Sequence, residues 1–84
     1  QQEKIISSIV SERKRQDEKW GGPEHDDSHS LCDFCAFIEE KSTNALASGG
    51  LLQARSEMIK VAALAIASIE SIDRKIAKSS KIVA

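Results

Sequence analysis

Met58-Ile-Lys-Val-Ala-Ala-Leu-Ala-Ile-Ala-Ser-Ile-Glu-Ser-Ile-Asp-Arg-Lys-Ile76 is the stretch that decides the fold. Met58, Val61, Ala62, Ala65, Ile69, Ile72 and Ile76 recur three or four positions apart (or adjacent), the period of a helix. Leu64 flanks that stripe on one side, and Ile59 and Ile66 on the other. At 100° per residue the apolar arc covers roughly 220°, about twice that of a one-sided surface helix. Such a helix calls for cover on two sides. In so short a chain that cover is expected from other copies of the protein.

The chain has 84 residues, which is one small domain spanning 1–84. A domain of this size is marginal alone and gains from disulfides, a metal or oligomerisation. Twelve basic residues face thirteen acidic ones, so no strong attraction to nucleic acid or an anionic membrane is expected. The first twenty residues are charged and carry no apolar signal-peptide core. The longest apolar run, Val61 to Ala67, is too short to span a bilayer. These features predict a cytoplasmic protein, with Cys32 and Cys35 as reduced thiols.

Outward from the central stretch, the pattern predicts three helices and no strands. The first covers 2–19, with Ile5, Ile6, Ile9 and Val10 as an apolar patch. A charged run follows, in which Arg13–Asp17 and Lys14–Glu18 are spaced for pairing one turn apart. Gly21-Gly22-Pro23 ends it, since glycine accepts positive φ and proline bars continuation. Residues 20–30 form a polar loop with both histidines and three carboxylates. Ser30 and Asp33 are spaced as a capping box that opens a second helix, 31–48. Its apolar side is read as Leu31, Phe34, Ile38 and Ala45, widened by Cys35, Phe37 and Leu46. Gly49-Gly50 supplies the left-handed turn that closes it. The third helix runs 51–78, with a frayed tail from Ser79. The short glycine link makes the last two helices an antiparallel hairpin. The fold class is therefore all-α, a helical hairpin plus an N-terminal helix, assembling into an oligomeric bundle.

The hairpin sets residue 40 level with residue 58, which brings Glu39 and Glu40 near Glu57. Carboxylates that meet between packed helices need a cation, and an all-oxygen set suits Mg²⁺ or Mn²⁺. The bland alternative leaves all three glutamates in solvent, and Glu40 does lie nearly opposite its helix's stripe. The same geometry sets Glu70 and Asp73 level with residues 25–28, where loop anchoring is the favoured reading. His25, His29, Cys32 and Cys35 follow a zinc-ligand spacing, but the two cysteines fall inside a predicted helix, which argues against a compact zinc site. Trp20 either stacks on a base or, the preferred reading, plugs the open end of the bundle.

Glu12-Arg-Lys-Arg-Gln-Asp-Glu-Lys-Trp-Gly21, His25, Phe37-Ile-Glu-Glu40 and Glu57-Met-Ile-Lys-Val-Ala-Ala-Leu-Ala65 together resemble the MazG-like, all-α nucleoside triphosphate pyrophosphohydrolases of phages and prophages. The likeness runs from Glu12 to about Arg74. It implies dimers or tetramers whose carboxylates hold Mg²⁺ on a triphosphate while water splits off pyrophosphate. On this chain it implies Glu39, Glu40 and Glu57 as metal-binding and catalytic residues; Lys19, Trp20, His25 and Lys60 are read beside them as substrate-binding residues, with Lys60 taking over part of the cation's role. The pattern departs from the family at Thr43 and Lys60, where it calls for carboxylates. The expected function is thus nucleotide handling, with a weakened Mg²⁺-dependent pyrophosphohydrolase activity. The alternatives left open are nucleotide binding or sequestration without cleavage, and a helical interaction protein that acts on a host partner.

Overall fold

A computed structural model describes the backbone of residues 1–83 and side chains as far as residue 79. Four helices follow in order: α1 Gln2–Trp20, α2 Pro23–Asp27, α3 Leu31–Ala47 and α4 Leu51–Val83. No strand occurs among the described residues, and the fold is all-α. None of the described helices is long and apolar enough to cross a membrane. The 33 residues of α4 give a rod of about 50 Å at 1.5 Å per residue. That length matches the long dimension of the molecule, 51 Å. The other three helices all pack on this rod.

Local chemistry explains most boundaries. Gly21 at φ 108° closes α1 in the left-handed conformation, its N–H donating to the Asp17 carbonyl at 2.9 Å. Gly22 is also at positive φ, 71°. Pro23 then occupies the first turn of α2, where its missing N–H costs nothing. The stretch read as loop from 20 to 30 therefore carries a short helix of its own. The capping box on α3 forms as expected: Asp33 N–H donates to Ser30 Oγ at 3.2 Å, and Ser30 N–H donates to Asp33 Oδ2 at 3.0 Å. At the other end Ser48, not a left-handed glycine, closes α3 with extended backbone and a hydroxyl donated to the Ala45 carbonyl at 2.8 Å. α4 remains helical to Val83, beyond the expected end at 78; Ala84 lies outside the described residues.

The packing of α4 reverses the sequence expectation. Its buried residues are Glu57, Ala63, Ala67, Ser68 and Ser71, a face roughly opposite the aliphatic stripe on a helical wheel. Small side chains let neighbouring backbones approach closely, and α3 contributes Phe34, 4% exposed, as the one large buried apolar residue among the described residues. Full burial of such a ring stabilises by roughly 2 kcal/mol. Leu31 and Leu46, read as core, are exposed instead, as is Cys35. Met58, Ile69, Ile72 and Ile76 face outward.

Candidate functional site

Glu57 lies in the second turn of α4, on the small-residue face, and is 5% exposed. Its Oε1 accepts from Gln53 Nε2 at 3.3 Å and from Lys60 Nζ at 3.4 Å, both on the same helix. Its Oε2 is buried with no hydrogen-bond partner, the one such side-chain oxygen or nitrogen among the described residues. A buried carboxylate oxygen left bare costs the full desolvation of that group. It is also the atom best prepared to accept a cation or a strong donor.

Alongside, α1 places Glu12 against the same region. Arg15 holds the Glu12 carboxylate at 2.9 and 2.6 Å, and Gln16 donates at 3.0 Å. Arg15 is the main cause of a Glu12 pKa below the ordinary range, and Lys60 adds to it through space. Next to Glu12 an open cleft of about 460 Å³ runs between α1 and the start of α4, lined by Ser8, Ser11, Arg15, Arg55 and Ser56 among others. Hydroxyls with guanidinium groups are donors that suit a phosphate. The sequence reading missed this cleft. Its signal was present, since Ser8 and Ser11 share one face of α1 and Arg55-Ser56 stands directly before Glu57.

The other predicted residues occupy a second station. Lys19 Nζ sits 4.6 Å above the Trp20 ring, and Trp20 stacks on His25 at 5.9 Å and 16°. Trp20 is 53% exposed, so it is no plug for the bundle. His25 and His29 approach through their Nε2 atoms at 3.0 Å, and His29 Nδ1 lies 3.4 Å from Asp33. His29 also meets Phe34 and Phe37 edge-on.

This station is tied to the far part of α4. Asp27 accepts Ser71 Oγ at 2.8 Å and Arg74 through Nε and Nη2 at 3.0 and 2.8 Å. The Arg74 guanidinium, then Ser71, pull the Asp27 pKa down to about 2. Burial, with the charge of Asp17 behind it, pushes the Asp26 pKa up. Lys75 donates to the His29 carbonyl at 2.9 Å. The anchoring expected of this end is present, but through Ser71, Arg74 and Lys75. Glu70 instead takes Arg13 of α1, at 3.0 Å to Nη1, which displaces the Arg13–Asp17 pairing expected within α1.

Glu57 and Arg74 are seventeen residues apart on one rod, about 25 Å. The predicted residues thus fall into two groups, Glu57 with Lys60, and Lys19 with Trp20 and His25. Glu39 and Glu40 are exposed on α3, with Glu40 3.9 Å from Lys41. Among the described residues no three Asp, Glu, His or Cys side chains converge as a metal-holding group. Comparison with known proteins returned no matching family model, no matching curated protein and no matching solved structure.

Proposed function

We propose that the protein binds nucleoside triphosphates in the cytoplasm as magnesium or manganese complexes at the Glu57 end of the hairpin, with slow pyrophosphate release as its reaction. One observation carries this reading: Glu57 Oε2 is a carboxyl oxygen, buried and unpartnered, on the side chain that Lys60 approaches. That donor fits a hard divalent cation. Glu57 would hold the metal; Glu39 and Glu40, which the family resemblance names as further carboxylates, lie exposed on α3 and do not converge on it as a metal-holding group among the described residues. Magnesium bound there would neutralise triphosphate charge and polarise the bond to be cut. Lys60 and the serine–arginine cleft beside Glu12 would take phosphate oxygens, Lys60 as a point charge and the arginines through paired N–H groups. Stacking of a base is the natural task of Trp20, whose ring is open to solvent.

A second reading is binding without cleavage. It is favoured by Lys60, which donates to Glu57 Oε1 from the position where the family pattern calls for a carboxylate. A panel of nucleoside triphosphates with Mg²⁺ or Mn²⁺, assayed for pyrophosphate, separates the two. Turnover that falls at least about 100-fold in Glu57→Gln, the size of loss typical for a metal-linked catalytic group, supports the enzyme. Saturable binding of the metal–nucleotide without pyrophosphate supports sequestration. The absence of both binding and turnover would contradict nucleotide handling altogether.

A further inference from the structure

Two imidazole nitrogens meet head to head at the short helix α2. His25 lies within α2 and His29 two residues past its end, and their Nε2 atoms are 3.0 Å apart. A neutral imidazole carries its proton on one nitrogen and a lone pair on the other. His29 turns Nδ1 to Asp33 Oδ2 at 3.4 Å. That partner places the ring proton on Nδ1 and leaves the Nε2 lone pair aimed at His25. We propose that His25 Nε2 and His29 Nε2 together chelate one divalent transition-metal ion of the nickel, copper or zinc class.

The spacing fits a shared ion. With metal–nitrogen bonds of about 2.0–2.1 Å, two nitrogens stand about 2.9 Å apart at neighbouring corners of a square or octahedron, and about 3.3 Å apart in a tetrahedron. The observed 3.0 Å meets the first arrangement as it stands. That geometry is the one Cu²⁺ and Ni²⁺ prefer, and imidazole suits both. Tetrahedral Zn²⁺ asks the rings to part slightly.

Both rings are held before any ion arrives. His29 is wedged edge-on against the buried Phe34 and against Phe37, with centroids 5.9 and 5.1 Å away. His25 stacks on Trp20. The backbone that carries them is fastened to α4, through Asp27 with Arg74 and through the His29 carbonyl with Lys75. Asp33 is fixed in turn by the Ser30 N–H at 3.0 Å. A carboxylate behind an imidazole is the common outer support of a metal-bound histidine: it sets the tautomer and makes the ring a stronger ligand. Cys32 and Cys35 are exposed, and among the described residues no third Asp, Glu, His or Cys joins the pair in a metal-holding group. The site is thus not the four-residue zinc spacing read in the sequence. The chain supplies two imidazoles, and water or an external ligand fills the other positions. The site needs no nucleotide and does not depend on the Glu57 reading.

Trp20 is the one tryptophan of the chain and lies against His25, so its fluorescence reports on the site. Titration of the untagged full chain with Ni²⁺ alone should quench it saturably, with one ion bound per chain by calorimetry. His29→Gln should weaken binding at least about 100-fold, the upper end of what loss of an outer-shell partner costs, with helicity by circular dichroism unchanged. His25→Gln should do the same, and is the second variant should His29→Gln misfold between the phenylalanines. Asp33→Asn keeps an acceptor for the Ser30 N–H and should weaken binding about 10-fold through His29. Cys32→Ser combined with Cys35→Ser should leave the affinity unchanged. Saturable binding that survives a folded histidine variant, binding lost with the two cysteines, or no saturable binding at millimolar Ni²⁺ would each overturn the proposal.

Discussion

The two ends of α4 each hold a carboxylate against the rod, and they treat it in opposite ways. At the far end Asp27 is saturated: a guanidinium grips it through two nitrogens and a buried hydroxyl donates to it. At the near end Glu57 is more deeply buried, yet one oxygen has no partner. A satisfied group is a fastening, whose work is done when the chain has folded. A buried, bare oxygen is costly to the folded chain, and such a cost is the usual mark of a site that waits for a ligand.

Paired substitutions sharpen the contrast most strongly. Ser71→Ala removes a buried donor from the satisfied end and should cost about 1 kcal/mol in chemical unfolding. Glu57→Met removes the bare oxygen from the other end with little change of shape. It should leave stability unchanged or raise it by up to about 1 kcal/mol. If Glu57→Met proves the more damaging of the two, Glu57 is a fastening as well and the comparison collapses.

Acid offers a gentler test. Asp27 is held at about 2 in the folded chain, below the ordinary value of about 3.9 of an unfolded aspartate. Its folded form binds the proton less readily, so its stabilising contribution is complete above about pH 4. It is lost as the pH falls toward the folded value. Stability measured from pH 5 to pH 2 should therefore fall more steeply in the wild type than in Asp27→Asn. Equal slopes would mean that Arg74 and Ser71 do not grip Asp27 in solution.

The sequence carried the backbone further than the faces. Helix ends followed from local chemistry, such as the Ser30–Asp33 box and the glycine pair at 21–22, and they needed no knowledge of the tertiary fold. The short helix from Pro23 was hidden because five residues are too few to show a period. Which side of α4 turns inward was not legible. Apolar content points to the aliphatic stripe, whereas close packing inside one chain selects the alanine and serine side that admits a neighbouring helix. For the same reason the partners of Asp27 were misplaced by a few residues along a correctly located stretch, and Glu70 turned to Arg13 of α1 instead of the 25–28 segment: axial level follows from counting residues, but the pairing depends on helix rotation. Glu57 was legible as a candidate from its place beside the stripe. Its bare oxygen became visible only once Gln53 and Lys60 were seen to share the other one.

The most direct test is thermal unfolding with and without a non-hydrolysable nucleoside triphosphate and Mg²⁺, on the wild type and on Glu57→Gln. Binding to the folded chain alone stabilises it by about 2.7 kcal/mol at a ligand concentration of 100 times Kd. The account predicts a rise in the wild-type melting temperature that requires both metal and nucleotide and is absent in Glu57→Gln. An equal rise in both proteins, or none in the wild type at millimolar ligand, would contradict the assignment of Glu57 as the ligand-holding residue.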